Sequence, residues 1–442
     1  MIELRTRCLA GKLILLITAV LVFVPASIPA AAQESSKAAA WPDPLIFANG
    51  QKVTAVSDFE KRRQEILSLF EENVYGRTPA VTIPVKVLGT EVDKKALNGL
   101  AVRKQIVLGV GTAPQRIWHL LLYLPAQARG RVPVIVGLNF DGNQTVSTDP
   151  GITLTPVWTA QPQSGISLAK EWTPHKLEPA SEQTRGIAAS QWQLEQILKH
   201  GYGLATMYAG EIEPDFNGGM AYGIRPLLFR KGQLLPEPDT WGAIGAWAWG
   251  MSRMVDVLTA DPAVDARRFV AFGFSRFGKT ALWAAAQDQR FQAVLSNESG
   301  QAGATLSHRQ RGEPTDHLML AFPYWFCPNY QRFLGRQQEL PVDGHLLLAL
   351  IAPRPLYVGS AISDPFSDPE GEFLAARAVL PVYALFGEKA TLPTNMPPLD
   401  QSVGDGAVQY HVRHGGHNVT AYDWEEYLKF LDRRFRNSPS TD

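Results

Sequence analysis

Cysteine is almost missing from this chain: 442 residues hold two, Cys8 and Cys327. Cys8 falls in an N-terminal segment that reads as removable, which leaves no pair for an internal disulfide, so stability must come from the core. No cysteine and histidine stand together at zinc spacing. An excess of one charge is missing too. Lys plus Arg number 42 and Asp plus Glu number 42, with no long basic run. Neither nucleic acid nor an anionic membrane surface is therefore expected as a partner, and a neutral or weakly charged substrate fits better. Long apolar runs are scarce as well. Leu13 to Val24 is shorter than the roughly 20 residues a spanning helix needs, and Pro25 and Pro29 follow it. Basic Arg5, Arg7 and Lys12 precede the run and Ala30-Ala31-Ala32 comes after it, the layout of a secretory signal peptide over residues 1–32. A secreted or periplasmic protein is expected, with no stable membrane insertion after cleavage.

Residues 33–45, rich in Ala, Ser and Pro, read as a flexible lead-in, and 46–442 as a single catalytic domain. The apolar spacing predicts a helix from Asp58 to Asn73, then strands over Val81–Leu88, Ala101–Val107, Trp118–Leu124 and Val132–Leu138. A Thr, Pro and Gln-rich insertion, 142–183, reads as surface loop. Beyond it strand and helix alternate. Helices are expected over Gln191–Lys199, Ile244–Leu258, Lys279–Ala286 and Trp424–Phe435. The strands between them are Tyr202–Met207, Phe269–Gly273, Ala293–Ser296, Pro355–Ser360 and Gln409–Val412. That alternation predicts an α/β fold, a mainly parallel, doubly wound sheet with helices on both faces. Ligand chemistry in such sheets gathers at the C-terminal ends of the strands.

One of those strands runs into Gly273-Phe-Ser-Arg-Phe-Gly-Lys279 and then a small-residue helix. This is a nucleophile elbow, in which a tight turn lifts the Ser275 hydroxyl above the sheet and aims the Arg276 backbone N–H at a developing oxyanion. The usual second glycine two positions after the serine is Phe277 here, and Gly278 follows it. A serine hydroxyl needs a base to take its proton. Of nine histidines, His411, His414 and His417 lie at or beyond the last strand, where the base of this chain order belongs; His417 is preferred because it sits in the Gly-Gly loop itself. His308, His317 and His345 read as ordinary histidines. Two carboxylates could orient the imidazole: Asp364, after the strand ending at Ser360, and Glu298, after the strand ending near Ser296. The residues alone leave the choice open.

Gly273-Phe-Ser-Arg-Phe-Gly-Lys279, Ser296-Asn-Glu-Ser-Gly300 and His414-Gly-Gly-His417 resemble the glucuronoyl esterases of carbohydrate esterase family fifteen, bacterial type. The similarity runs from about Trp241 onward and includes Trp325-Phe-Cys327, Leu340-Pro-Val-Asp343 and Asp368-Pro-Glu-Gly-Glu-Phe373. The resemblance implies an α/β-hydrolase fold and cleavage, without metal or cofactor, of esters joining (4-O-methyl-)glucuronic acid on xylan to lignin alcohols. It implies Ser275 as nucleophile, His417 as base, Glu298 as the acid of fungal members and Asp364 as that of many bacterial ones; this chain holds both. The Arg276 guanidinium would add to the oxyanion donors, and Lys279 and Glu313 would bind sugar hydroxyls. Phe366 falls where an aromatic, often tryptophan, lines the sugar pocket. Trp325 is open between pocket and core, and Lys279 between a ligand and a surface lysine. Phe274 replaces a fungal cysteine, so that cysteine's disulfide cannot form. An acetyl-xylan or other carbohydrate or xenobiotic esterase, or an inactive carbohydrate-binding relative, would share the scaffold.

Overall fold

The computed structural model describes residues 41–80, 83–112, 116–161, 169 and 172–436. The expected signal peptide and residues 33–40 of the lead-in lie outside the described residues. Residues 41–45, expected to be flexible, are tied down: the His345 ring donates from Nε2 to the Pro42 carbonyl at 2.6 Å, and Trp41 packs on that ring.

Nine strands form one sheet: β1 (Val85–Lys95), β2 (Ala101–Val110), β3 (Arg116–Pro125), β4 (Val132–Asn139), β5 (Gly203–Tyr208), β6 (Val264–Phe274), β7 (Phe291–Asn297), β8 (Leu356–Ala361) and β9 (Val408–Arg413). Their order is β1-β2-β3-β5-β4-β6-β7-β8-β9. The first three pair antiparallel with their neighbours, and β5, β4, β6, β7, β8 and β9 run parallel. Parallel strands are covered on both faces, which is why their sequences are continuous apolar runs. Successive side chains alternate between two cores. Val134, Val136, Phe269, Ala271, Val294 and Val358 face one, with helices α1 (Val56–Asn73), α2 (Ala243–Thr259) and α3 (Arg276–Gln287). Ile135, Val270, Phe272, Leu295 and Tyr357 face the other, closed by Trp192, Ile197 and the Trp424, Tyr427 and Leu431 stripe of α5 (Ala421–Arg436). Between α3 and α5 in the chain, α4 (Pro369–Ala378) follows β8. With each large apolar side chain stabilising by roughly 1.5–3 kcal/mol when fully buried, the two layers fix the sheet without a covalent cross-link. This is the α/β-hydrolase fold.

Three further sequence expectations need correction. The strand expected over Val81–Leu88 begins at Val85 and runs on to Lys95, and residues 81–82 lie outside the described residues. The helix over Gln191–Lys199 is two pieces, Ala189–Trp192 and Leu194–Lys199, broken by Gln193 at φ 43°. The 142–183 insertion is not plain surface loop. Asn143, Gln144, Thr145 and Asp149 are buried, and Val157–Ala160 pairs antiparallel with His175–Glu178 as a hairpin. Arg103, on β2, reaches into that insertion to pair with Asp149 at 2.7 Å. Nothing local in a polar, proline-containing stretch announces such tertiary anchoring.

Candidate active site

Ser275 is the single residue between β6 and α3, and it stands at φ 58°, ψ −128°. A non-glycine residue held in that region costs of order 1–3 kcal/mol and persists only when its surroundings enforce it. Here they do. A Cβ on Gly273 would lie 1.8 Å from the Phe277 carbonyl oxygen, and one on Gly278 2.8 Å from the Ser299 side chain. The second glycine is displaced by one position from the usual pattern because the close approach falls at Gly278, whereas Phe277 is buried in the core. The turn is closed by Ser275 N–H donating to Asn297 O at 2.9 Å and Gly278 N–H to Ser275 O at 2.8 Å. Arg276 then begins α3, where the first amides have no intrahelical acceptor and can face an anion.

His417 follows β9 in a loop held from beneath by Arg413. That guanidinium, 3% exposed, donates to the carbonyls of His414, Gly416 and Asn418, to Asp423 at 2.8 Å and to Glu298 Oε1 at 2.6 Å. The imidazole donates from Nδ1 to Asp364 Oδ2 at 2.7 Å, and Glu298 Oε2 lies 3.2 Å from the same nitrogen. Nε2 is thereby left as the proton acceptor. Both candidate acids meet one ring nitrogen because β7 and β8 are parallel neighbours whose C-terminal ends open on one edge. His414 is elsewhere: its ring pairs with Asp400 at 2.6 Å and is 70% exposed. His411 is buried against Asp423 and Tyr357.

Burial alone would lower the His417 pKa, but its bonds to Asp364 and Glu298 and their negative charge raise it to about 9. Asp364 is opposed by burial too, and the contacts with His417 hold it down at about 2. Glu298 is pushed up by burial to about 7, against the pull of His417 and Arg413. The three groups titrate as a unit, with Asp364 the anion and the imidazole its cation at neutral pH. Proton abstraction needs the neutral ring, so kcat/KM for an ester is expected to climb from neutral pH toward about 9. A pH profile that is flat between 7 and 9 would contradict a base with this environment. Donor atoms of Glu298, Asp364 and His417 all lie within 4.8 Å of one another, a set one metal ion could reach. The shared proton on Nδ1 accounts for the same atoms, and a metal there would displace it.

Arg276 is fixed by Asp215, whose carboxylate pairs with the guanidinium and also accepts from Tyr324 at 3.0 Å and Trp325 Nε1 at 2.8 Å. The guanidinium carbon lies 4.7 Å from the centre of the Trp325 ring, which stacks in turn on Phe322 at 3.8 Å. Trp325 is thus both buried, at 3% exposure, and in the pocket wall.

Two pockets meet at Ser275, Arg276 and His417. One, of about 370 Å³, is lined by Lys279, Glu298, Glu313, His317, Trp325 and Phe366 among others. Lys279 is not a surface lysine. Its ammonium, 4% exposed, donates to the Ser299 carbonyl at 2.6 Å, and burial lowers its pKa to about 8. Glu313 accepts from His317 at 2.8 Å, so His317 belongs to the pocket, which sequence reasoning missed. Phe366 is 58% exposed at the rim. The other pocket, of about 330 Å³, is walled by Phe140, Trp158, His175, Tyr208, Phe216 and Phe274. Trp158 and His175 come from the hairpin of the insertion. Phe274, next to the nucleophile, lays its ring 4.6 Å from that of His417. Sequence reasoning missed Asp215, Arg413 and all of this wall but Phe274; Phe140 and Tyr208 stand at or just beyond the ends of parallel strands, the signal that could have found them.

The family model described as glucuronyl esterase, fungi, matches residues 233–387. Carbohydrate esterase MZ0003, from an unknown prokaryotic organism, is 40% identical over 394 residues, 88% of each chain. Among solved structures, a glucuronoyl esterase from Solibacter usitatus is 48% identical and superposes with a TM-score of 0.82 over 89% of this chain and 98% of that one. A promiscuous CE15 esterase from the marine bacterial metagenome is 39% identical, with a TM-score of 0.78 over 89% and 96%. Identity at this level along nearly the whole of both chains, over a serine elbow with its histidine and paired carboxylates, means that the chain belongs to the glucuronoyl esterase family, carbohydrate esterase family 15, in its bacterial form.

Proposed function

We propose that this protein hydrolyses esters of glucuronic acid, including its 4-O-methyl form, through an acyl-enzyme on Ser275. The observation that carries the reading is the shared opening: one serine and one imidazole between a polar, cation-bearing pocket and an aromatic one. The sugar acid fits the pocket of Lys279, Glu313, Trp325 and Phe366, where the lysine and the carboxylate can bind its hydroxyls. The alcohol fits the aromatic pocket. Ser275 Oγ attacks the ester carbon as His417 Nε2 takes its proton. The negative charge on the carbonyl oxygen is met by the Arg276 backbone N–H and guanidinium, and the imidazolium returns the proton to the departing alcohol. Water then repeats the sequence on the acyl-enzyme. No step draws on a metal or cofactor.

Esters joining xylan-borne glucuronic acid to lignin alcohols have this chemistry, and relatives bear the name 4-O-methyl-glucuronoyl methylesterase. A single catalytic domain over 46–442, exported behind the 1–32 signal peptide, fits an extracellular polymer as substrate. Among the described residues no helix is long and apolar enough to cross a membrane. Hydrolysis of benzyl glucuronate by the mature protein tests the reading, and inertness toward it with rapid turnover of an acetylated sugar would replace it. The second reading, a broader carbohydrate esterase, is favoured by one observation, the relative described as promiscuous.

Arg276→Ala separates transition-state from ground-state roles. Loss of one oxyanion donor costs about 10²–10³ in turnover. The expected result is a fall in kcat of that order with KM changed far less. A change confined to KM would make the guanidinium a substrate binder only.

A further inference from the structure

The run Asp368-Pro-Glu-Gly-Glu-Phe373 at the start of α4 has no part in the reaction as derived so far. Its second glutamate, Glu372, is fully buried. Oε1 accepts from the Gly300 backbone N–H at 2.9 Å and lies 3.5 Å from Ser299 Oγ; Oε2 meets Ser360 Oγ at 2.5 Å. Gly300 follows Glu298 by two residues on the loop after β7, and Ser360 lies on β8 just before Asp364. One carboxyl therefore spans the two segments that carry the two acids. The same turn serves the sugar pocket, since the Ser299 carbonyl holds Lys279 and Ser299 Oγ accepts from Ala304 N–H at 2.9 Å. The hydrogen-bond partners of Glu372 are a backbone N–H and two hydroxyls, none of them a cation.

We propose that Glu372 is a positioning residue whose carboxyl pins the Glu298 loop to the Asp364 strand and so fixes both acids against His417. Burial pushes this carboxyl up to about 8, and the negative charges of Glu298 and Asp364 add to the rise, against the bonds from Ser360 and Gly300. Lys279 and Tyr410, on the neighbouring α3 and β9, also feel its charge. The Ser360 hydroxyl donates to Oε2, and the Gly300 N–H to Oε1. Glutamine keeps an acceptor for the Gly300 N–H and sets an uncharged amide donor against the Ser360 hydroxyl, which can accept as well as donate. An acid displaced by even 1 Å can cost a catalytic site up to about 10² in rate, which gives such a clamp a measurable effect.

The inference rests on His417 as base with Asp364 and Glu298 as its acids. Its test measures kcat and KM for benzyl glucuronate with E372A, E372Q and E372A/D364A, active sites being counted with a serine-reactive phosphonate. E372A is expected to lose about tenfold or more in kcat per active site. E372Q should regain most of that loss. Adding E372A to D364A should cost more than adding it to the wild type, because Glu298, on the loop that Glu372 pins, is then the one acid left at the imidazole. Wild-type kcat in E372A, no recovery in E372Q, or full additivity with D364A would each overturn the proposal. Where E372A does not fold, Ser360→Ala removes one arm of the clamp: a kcat loss that grows on the D364A background supports the idea, and no loss or an additive one overturns it. Persistent activity in Ser275→Ala or His417→Ala would instead sink the underlying reading, whatever the Glu372 variants do.

Discussion

Ser275→Ala or His417→Ala removes nearly all ester hydrolysis, a loss of several orders of magnitude, while His414→Ala stays near the wild type. The contrast follows from placement. Ser275 sits in an enforced elbow, and the His417 ring is gripped by Asp364 and Glu298 on Nδ1, which directs Nε2 toward the opening shared by the two pockets. His414, three residues earlier, is turned to solvent on Asp400. Neither catalytic substitution should unfold the protein, since the β9 loop keeps its Arg413 anchor and the strained serine backbone is unchanged. Initial rates on benzyl glucuronate, with thermal melting as a control for folding, decide the matter. Near wild-type turnover in folded His417→Ala protein together with an inactive His414→Ala would transfer the base to His414.

What the sequence made legible divides along a physical line. The parallel strands could be read because burial on both faces leaves continuous apolar runs such as Val132–Leu138, and the elbow because Gly273 is dictated by a backbone contact four residues away. Both are local consequences of local sequence. The hairpin of Trp158 and His175 could not be read, because its strands are short, its composition is that of a loop, and its support comes from Arg103 and the aromatic cluster with Phe216. Arg413 was hidden for a related reason. At the end of a buried strand an arginine is improbable until Glu298, Asp423 and three carbonyls are known to surround it. Trp325 illustrates a choice that was never exclusive, since its indole is packed on Phe322 and still forms the pocket wall under Arg276. The acid of the triad stayed open because position in the chain allowed two strand ends, and only their separation from one nitrogen ranks them.

That ranking sets the second large effect. Asp364→Ala should be the more damaging single change, Glu298→Ala the milder, each leaving measurable activity, and the double variant should fall close to His417→Ala. Asp364 makes the direct bond at 2.7 Å, its other oxygen is held by the Phe366 and Ser367 amides at 3.1 and 3.4 Å, and the contacts with His417 keep it ionised. It is an anion placed where the imidazolium forms. Glu298 stands at 3.2 Å, spends its other oxygen on Arg413, and is pushed by burial toward the neutral acid. It can stabilise the ring less while Asp364 is present, yet it is already within reach of Nδ1 when Asp364 is gone. Two groups that substitute for each other at one atom must be strongly non-additive, so the product of the two single losses should fall well short of the double loss. Turnover of the four proteins on one substrate closes the cycle. A double variant that equals the product of the singles would mean that the carboxylates act on separate steps, and a larger loss in Glu298→Ala would mean that its hold on Arg413, and through it on the His417 loop, outweighs the direct bond from Asp364.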